Sequence, residues 1–581
     1  MLKSNSHKQS LRLINAAGLG FGLGALYFIA DLIGTSLAVG SLADLTASGI
    51  LLILIAGIFA CTIGAVISTF IWLIFKLLKQ TTLPKISPKL AIVALSLCFL
   101  VIAIGGFWAR IGRRPLKLDS PSVAPYPNAR NVLLVAVDAL RADTFYGDNF
   151  TFPFNPKIAS WSQNAAIFTD AESTASWTIP SVATILTGIL PERHYASRGY
   201  LADWTPTLAE RFRAAGYNTV AFVDNALLER RNGYTAGFAN YFQKSAFRFA
   251  FSLPSFRLLP KVISQKLRNR LRVFEFGAPR LTDKAIEVIR APNDRPLFLF
   301  MHYMDPHDPY YKNTEFSPDP DNSEPADASI MAEKIRANPQ EKPSVAQLKF
   351  MHHRYNGEVQ SLDEPLWRLI SAFEQRFGDD AIIIITADHG EEFLDHGGLL
   401  HGMNLNRELV HVPLLIKSKD TTDFAPKLLR INAPVSLVDL APTLLDLAGV
   451  PKDLGSNGFS MDGVSLLPYL PSRTPKKIIA MTRPLFASQT QYRRRIYRWR
   501  ENNRVLIITF RKGEQGRTRE LYDLTTDPYE LHDLGPDNMS EVDTLDVHMA
   551  TSNKKQVDSR DPLPSTVKSD IESLRGLGYV E

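Results

Sequence analysis

Cysteine is almost absent. The 581 residues contain two, Cys61 and Cys98, and both sit in the strongly apolar N-terminal fifth. The chain beyond residue 110 therefore has no disulfide and no thiolate metal ligand, and cysteine-based nucleophilic catalysis is excluded there. No compact basic tract with interleaved aromatics occurs, and the net charge of +6 is spread over the whole length, which argues against a nucleic-acid partner. Nor is there an internal repeat of solenoid or propeller period. With 45% hydrophobic and 21% charged residues, the composition excludes wholesale disorder and suits a large core with more than one domain.

The N-terminal fifth also lacks charge. Residues 13–30, 45–75 and 90–109 carry no Asp, Glu, Lys or Arg. A bilayer core takes about 20 apolar residues per helix, so three transmembrane helices are expected in a membrane domain over 1–114. Three successive spans do not fit a cleaved signal peptide. The first span is glycine-rich and reaches Asp31, whose role the sequence leaves open. Lys3, Lys8 and Arg12 precede it, and Lys76, Lys79, Lys85 and Lys89 separate the second and third, while the first loop has no Lys or Arg. This asymmetry places the N-terminus inside and everything after residue 110 outside, although Arg110, Arg113, Arg114 and Lys117 pull the other way. The expected location is multi-pass in a bacterial inner membrane, with the soluble part extracytoplasmic.

PLKLDSPSVAPYPNAR, 115–130, is Pro-rich and polar and reads as a linker. NVLLVAVD (131–138), PLFLFMHY (296–303) and AIIIITADHG (381–390) are short apolar runs of the kind buried on both faces of a parallel sheet. TPTLAERFRAAGYNTVAFVDN, 205–225, reads as an amphipathic helix, a glycine stop and another such strand, and VSLVDLAPTLLDLAGV, 435–450, as a helix ending at Gly449. Alternating strands and helices over 131–450 imply an α/β three-layer sandwich with a central, mostly parallel sheet. The more polar, turn-rich 451–581 is assigned to a smaller C-terminal α+β subdomain. Residues 244–272 hold eight Lys/Arg and no acid. That segment suits either an interfacial arm against anionic lipid or a solvated surface arm.

Ligands in open α/β sheets bind beyond the carboxyl ends of the strands. Two strands end there in candidate metal ligands, Asp138 and the pair Asp388-His389. A lone strand-end Asp is usually a helix cap; two, one of them with an adjacent His, offer two carboxylates and an imidazole to a divalent ion. ASWTIPSVATILTG, 175–188, adds two hydroxyls, Ser176 and Thr178, before a proline and an apolar helical run. Both residues are ordinary N-cap types. A threonine beside a metal and at the positive end of a helix is also a candidate nucleophile and ligand, and such a helix start suits an anionic ester.

These segments resemble the sulfatase family of the alkaline phosphatase superfamily. NVLLVAVDALRAD is similar to its first metal strand and WTIPSVATILTGILPERH to its nucleophile segment. FLFMHYMDPHDPY, TADHGEEFLDHG, the HG at 401–402, VHVPLLI, ELYDLTTDPYELHDL and LRGLGYV follow in the family's order, from about residue 129 to the end. The resemblance implies metal ligands at Asp138, Thr178, Asp388 and His389, with Thr178, two residues before the proline, as nucleophile in preference to Ser176. It implies that His307 touches the ester group and that His401 contacts a non-bridging oxygen. A histidine at 401 could also protonate the leaving oxygen. Asp305, His302 and His396 are read as structural or supporting.

The departures qualify the activity. TIPSV has Thr178 and Val182 where sulfatases carry C/S-x-P-x-R, whose Cys or Ser becomes formylglycine, and Asp138-Ala139 stands for a paired Asp. The expectation is a metal-dependent ester hydrolase acting on phosphate or sulfate esters, of lipid or glycan origin. The alternatives are a sulfatase proper, a phospho-head-group transferase acting on envelope lipid or glycan, and a non-catalytic envelope protein. Calcium follows from the resemblance; the imidazole ligand suits manganese or zinc better.

Overall fold

The structure is a computed structural model. It describes residues 121–202, 205–243, 277–310, 323–419, 429–455, 458–470, 483–492, 494–511, 513 and 516–556. The expected spans at 13–30, 45–75 and 90–109, Asp31, and the basic segment 244–272 lie outside the described residues. Among those described, no helix is long and apolar enough to cross a membrane. The chain divides into two compact units, Met1–Lys117 with Lys244–Glu275, and Leu118–Gln243 with Phe276–Glu581; the second is the one described below.

The apolar runs form a central sheet. Its strands are β1 (Asn131–Val137), β2 (Ala166–Glu172), β3 (Asn218–Val223), β4 (Asn240–Gln243), β5 (Leu297–Tyr303) and β6 (Ala381–Ala387). After a small hairpin of β7 (Glu392–Phe393) and β8 (Leu399–Leu400) come β9 (His411–Lys417), β10 (Leu429–Ile431) and β11 (Val435–Ser436). The order across the sheet is β10-β2-β9-β6-β1-β5-β3-β4, with β11 also on β2. All pairs are parallel except those of β9, which runs antiparallel to β2 and β6. The sheet is therefore mixed, and mostly parallel as expected. β1, β3, β5 and β6 are buried almost end to end, which accounts for their unbroken apolar sequences.

Helices α1 (Thr178–Thr187), α2 (Leu208–Ala214), α3 (Ala278–Arg290), α4 (Val345–Ser361), α5 (Asp363–Phe377) and α6 (Leu440–Ala448) pack in two groups, α1 with α2 and α6, and α5 with α3 and α4. In α2 a capping box, Thr207 with Glu210, satisfies the first amides, and Gly216 at φ +83° turns the chain into β3. A side chain at Gly216 would collide with the backbone of Ala124 and Pro125, so part of the expected linker lies directly against the domain. The helix expected over 435–450 is shorter. Val435–Ser436 pair with β2, Leu437–Asp439 form a 3₁₀ turn, and only Leu440–Ala448 is α-helical, stopped by Gly449 in the left-handed region. The strand pairing and the Ser436–Asp439 capping box hold the first residues out of the helix.

A second sheet, β12 (Leu485–Gln491), β13 (Arg494–Glu501), β14 (Arg504–Arg511) and β15 (Thr518–Asp523), is antiparallel throughout. One side packs Trp499, Leu506, Ile508 and Leu521 against Val542, Leu545 and Met549 of α7 (Met539–Gln556) and against Leu190 and Val438. The other side packs Ile496, Val505 and Ile507 against Leu405 and Val410. Ionic bonds join the two sheets. Arg498, 1% exposed, donates to both carboxylate oxygens of Glu172 at 3.2 Å and to Glu530 at 2.9 Å, and Arg500 bonds Glu172 and Asp170. Burial raises the Glu172 carboxyl, and Arg498 and Arg500 outweigh it and hold it down to about 2. Removing one partner of such a pair leaves a buried charge uncompensated. Arg498→Ala is therefore expected to cost about 3–5 kcal/mol, read as a lowered denaturation midpoint, with a smaller loss for Arg504→Ala on the exposed side.

Candidate active site

The site lies where β1, β5 and β6 end together. Val137 is paired in register with Ala387 on one side and Tyr303 on the other, so the residues that follow emerge at one level. Asp138 N donates to Tyr303 O and Asp388 N to Val137 O, continuing the ladder by one step. Asp138, Asp388, His389 and His302 are fully buried and Thr178 is 3% exposed.

Thr178 is the first residue of α1. Its N-cap is Trp177, which makes no side-chain cap bond. The Thr178 hydroxyl is thus not spent on capping and lies 3.4 Å from both carboxylate oxygens of Asp138. Ser176 faces elsewhere: its Oγ donates to Asn404 O at 2.7 Å and pairs with Gln489. The two hydroxyls that the sequence offers together are therefore separated by the structure, and only Thr178 reaches the carboxylates.

His389 Nε2 lies 3.4 Å from Asp138 Oδ1 and 3.7 Å from Asp388 Oδ2, and its Nδ1 is bonded to Gly390 O at 2.8 Å. With that carbonyl as acceptor, Nδ1 carries a proton and Nε2 faces the carboxylates, where a bound cation would take the place of any proton on it. Asp388 Oδ1 accepts the N–H groups of Ala139 (3.2 Å) and His389 (2.9 Å), while Oδ2 has no hydrogen-bond partner. His389 Nε2 also has none. Burial pushes the His389 imidazole down, yet Asp388 and Asp138 outweigh it and raise it to about 9. Burial likewise raises Asp138, but His307, His389 and His302 hold it far below the ordinary carboxylate range. Lone pairs directed at one another in a buried, electronegative pocket fit a divalent cation.

The backbone is bent to make this possible. Ala139 has φ +57°, an uncommon conformation for a residue with a Cβ, and it is this turn that delivers the Ala139 amide to Asp388. Tyr355 holds the turn, donating its hydroxyl to Ala139 O and accepting from Arg141 N. Gly390 allows the next approach, since a Cβ there would fall on Glu408 O.

His307 and His401 line the site together, their rings 4.8 Å apart, and His401 stands 4.4 Å from the His389 ring. His307 Nδ1 bonds Asp308 O at 2.7 Å. His401 Nδ1 bonds Glu391 Oε1 at 2.8 Å, and Tyr310 donates its hydroxyl to Glu391 Oε2 at 2.8 Å. Burial, with His389 beside it, pushes His401 down to about 3; burial pushes the Glu391 carboxyl up to about 7. A neutral His401 that donates from Nδ1 to Glu391 has Nε2 as its remaining proton-transfer atom.

Two contributors to this geometry, Asn225 and Glu391, have no place in the sequence analysis, and a third, His302, has only a supporting one. Asn225, just past β3, donates from Nδ2 to Asp138 Oδ2 at 2.8 Å and lies 3.4 Å from Thr178 Oγ1. Glu391 positions His401. His302, read as supporting, has Nε2 3.5 Å from Asp388 Oδ2 and 3.9 Å from Asp138 Oδ2, and forms with them a group able to hold a metal ion. The strand-end rule applied to AFVDN would have found Asn225; nothing in the local sequence marks Glu391 or His302. His396 bonds Glu408 and Glu530 O, and Asp305 accepts Ala278 N at the start of α3, both away from the carboxylates.

Fold and site together define an α/β enzyme of the sulfatase/alkaline phosphatase superfamily. The family model described as Sulfatase matches residues 130–450, more than half of the chain, and the chain belongs to that family. It is a hydrolase of that superfamily. It is 25% identical over 453 residues to the choline-sulfatase of Rhizobium meliloti (strain 1021), covering 71% of this chain and 84% of the relative. Among solved structures, the phosphonate monoester hydrolase of Agrobacterium radiobacter superposes with a TM-score of 0.54 at 19% identity, over 74% of this chain and 96% of that one. A 2-O GAG sulfatase superposes at 0.56 and 17%, over 74% and 93%.

If Glu391 acts by orienting His401, Glu391→Ala is expected to lower turnover of esters with poor leaving groups about 10–100-fold, the range for lost orienting partners. A 4-nitrophenyl ester, which needs no leaving-group proton, is expected to lose much less. Equal losses on both would show a general disturbance of the site.

Proposed function

We propose that the protein hydrolyses phosphate esters, with sulfate esters as the second substrate class, using Thr178 as the attacking group. The observation that carries this is the Thr178 hydroxyl, free of capping duty at the start of a buried helix and 3.4 Å from both oxygens of Asp138. One divalent ion held by Asp138, Thr178, Asp388 and His389 would supply positive charge that lowers the pKa of the hydroxyl and neutralises the anionic ester oxygens.

In this reading Thr178 Oγ attacks phosphorus in line with the leaving oxygen. His401 Nε2, unprotonated in the neutral ring, takes the Thr178 hydroxyl proton and passes it to the alcohol oxygen as the Oγ–P bond forms and the P–O bond to the alcohol breaks. Water then attacks the phospho-threonine, its proton passing through His401 Nε2 to Thr178 Oγ as the P–Oγ bond breaks, which frees phosphate and restores the Thr178 hydroxyl. Asn225 donates to a non-bridging oxygen, where a fixed donor contributes most, and His307 lines the site beside His401. The preference for phosphate follows from residue 178: a threonine cannot become the formylglycine that the family resemblance associates with sulfate hydrolysis, whereas its alkoxide suits direct attack at phosphorus.

Thr178→Ala is expected to lower turnover by at least about a thousandfold, as for other lost nucleophiles. Mass spectrometry of a His401→Ala variant incubated with substrate should show phosphate on the peptide that contains Thr178. An aryl phosphate monoester, an aryl phosphodiester and an aryl sulfate, each tested on metal-replete enzyme, separate the substrate classes. Turnover of the sulfate alone would overturn the preference for phosphate, and near wild-type activity in Thr178→Ala would overturn the mechanism.

The reading also places the catalytic unit outside the cytoplasmic membrane, anchored by the apolar runs at 13–30, 45–75 and 90–109, on the charge bias of their flanks. Tyr529 is 64% exposed. A Tyr529→Cys variant, with Cys61 and Cys98 replaced by serine, should be labelled by a membrane-impermeant maleimide in spheroplasts. Labelling only after lysis would reverse the orientation.

A further inference from the structure

We propose that His302 is a direct ligand of the ion held by Asp138, Asp388 and His389, so that two imidazoles and two carboxylates surround it and it belongs to the manganese–zinc class, not calcium. The inference rests on the metal reading above, but concerns a residue and an ion preference that the reading does not include.

His302 lies within β5, one residue from its end, and is fully buried. Its backbone is committed to the sheet, paired with Ala136 on β1 and Val223 on β3. Its side chain is not committed: neither Nδ1 nor Nε2 has a hydrogen-bond partner. A structural histidine on a buried strand normally pairs at least one ring nitrogen with a carbonyl or carboxylate, because leaving a buried polar group unpaired is costly. Here the ring instead brings Nε2 to 3.5 Å from Asp388 Oδ2 and 3.9 Å from Asp138 Oδ2.

The same carboxylate oxygen has a second unsatisfied neighbour. Asp388 Oδ2 accepts no hydrogen bond, and His389 Nε2, also without one, stands 3.7 Å from it. His389 and His302 therefore approach one oxygen from two different strand ends, each with an unpaired nitrogen. Two ligands bound about 2.1 Å from one ion lie roughly 3–3.5 Å apart. The four imidazole-to-carboxylate separations, 3.4 to 3.9 Å, are that spacing opened by a few tenths. The donor atoms of Asp138, His302 and Asp388 all fall within 4.8 Å of one another.

The competing arrangement is a His302 imidazolium bridging the two carboxylates without an ion contact. That needs a close bond from Nε2, and at 3.5 and 3.9 Å Nε2 stands beyond the ordinary N–H···O length of about 2.7–3.2 Å from either carboxylate. Two imidazole nitrogens also decide the kind of ion. Calcium takes oxygen ligands, usually six to eight, whereas imidazole suits the first-row transition ions.

Purified full-length protein loaded with Mn²⁺ and measured by pulsed EPR tests this, since the method counts directly bound nitrogens. Two coordinated nitrogens are expected in the wild type and one in His302→Phe. The variant should bind Mn²⁺ at least about tenfold more weakly, the lower bound set by losses of mere orienting partners. Its metal-free melting temperature should not fall, because phenylalanine replaces an unsatisfied polar ring with an apolar one. Calcium at equal concentration should leave the Mn²⁺ signal in place. One nitrogen in the wild type, or unchanged affinity in the variant, overturns the assignment of His302 while leaving the rest of the metal site standing. Displacement of Mn²⁺ by equimolar calcium overturns the ion preference, and failure to bind any Mn²⁺ overturns this inference and the metal reading together. Should His302→Phe fail to fold, the wild-type nitrogen count decides alone.

Discussion

The in-register parallel pairing of β1 with β5 and β6 is the constraint on which the rest of the site depends. It ends three buried strands at one level, and so sets two carboxylates and an imidazole side by side where water cannot reach them. Like charges in such a place repel and are poorly solvated, so they persist only with compensation. The surroundings supply it: Asn225 on Asp138, the amides of Ala139 and His389 on Asp388, and the start of a buried helix at Thr178. The left-handed turn at Ala139 is the local conformational cost, and Tyr355 holds it in place.

The small antiparallel sheet is part of this arrangement through its first strand. Ser488 N bonds Thr174 O at 2.9 Å, four residues before Thr178. Gln489 pairs with Ser176 and donates to Gly402 O beside His401. β12 thus holds both the residues that precede Thr178 and the loop that carries His401. The buried arginines of β13 fix that sheet to β2 through Glu172 and Asp170, so a charge network remote from the chemistry bears on the placement of two residues within it.

Much of the fold was legible because its elements are governed by local rules. Runs of five or six successive apolar residues gave β1, β5 and β6, and the Thr207–Glu210 box and Gly216 mark the limits of α2. The error at 435–450 has a tertiary cause: an apolar, helix-like pattern begins as an edge strand because β2 is there to pair with it. The candidate residues Asp138, Thr178, Asp388, His389, His307 and His401 do come together. Asn225, Glu391 and His302 were missed for different reasons. Asn225 obeys the strand-end rule, whereas Glu391 and His302 look locally like a surface acid and a strand filler.

The sequence alone determined the strands, their order of chemistry-bearing ends and the family, because these follow from residue type and spacing along one chain. It also determined that residue 178 is a threonine and that no thiol stands beyond Cys98. Only the tertiary structure decided which of two neighbouring hydroxyls reaches the carboxylates. It decided, too, that His401 is coupled to Glu391 and Tyr310, and that His302 turns an unpaired ring toward Asp138 and Asp388. The physical reason is that each depends on distances between residues 10 to 86 positions apart, set by strand register and helix packing and written in no local pattern.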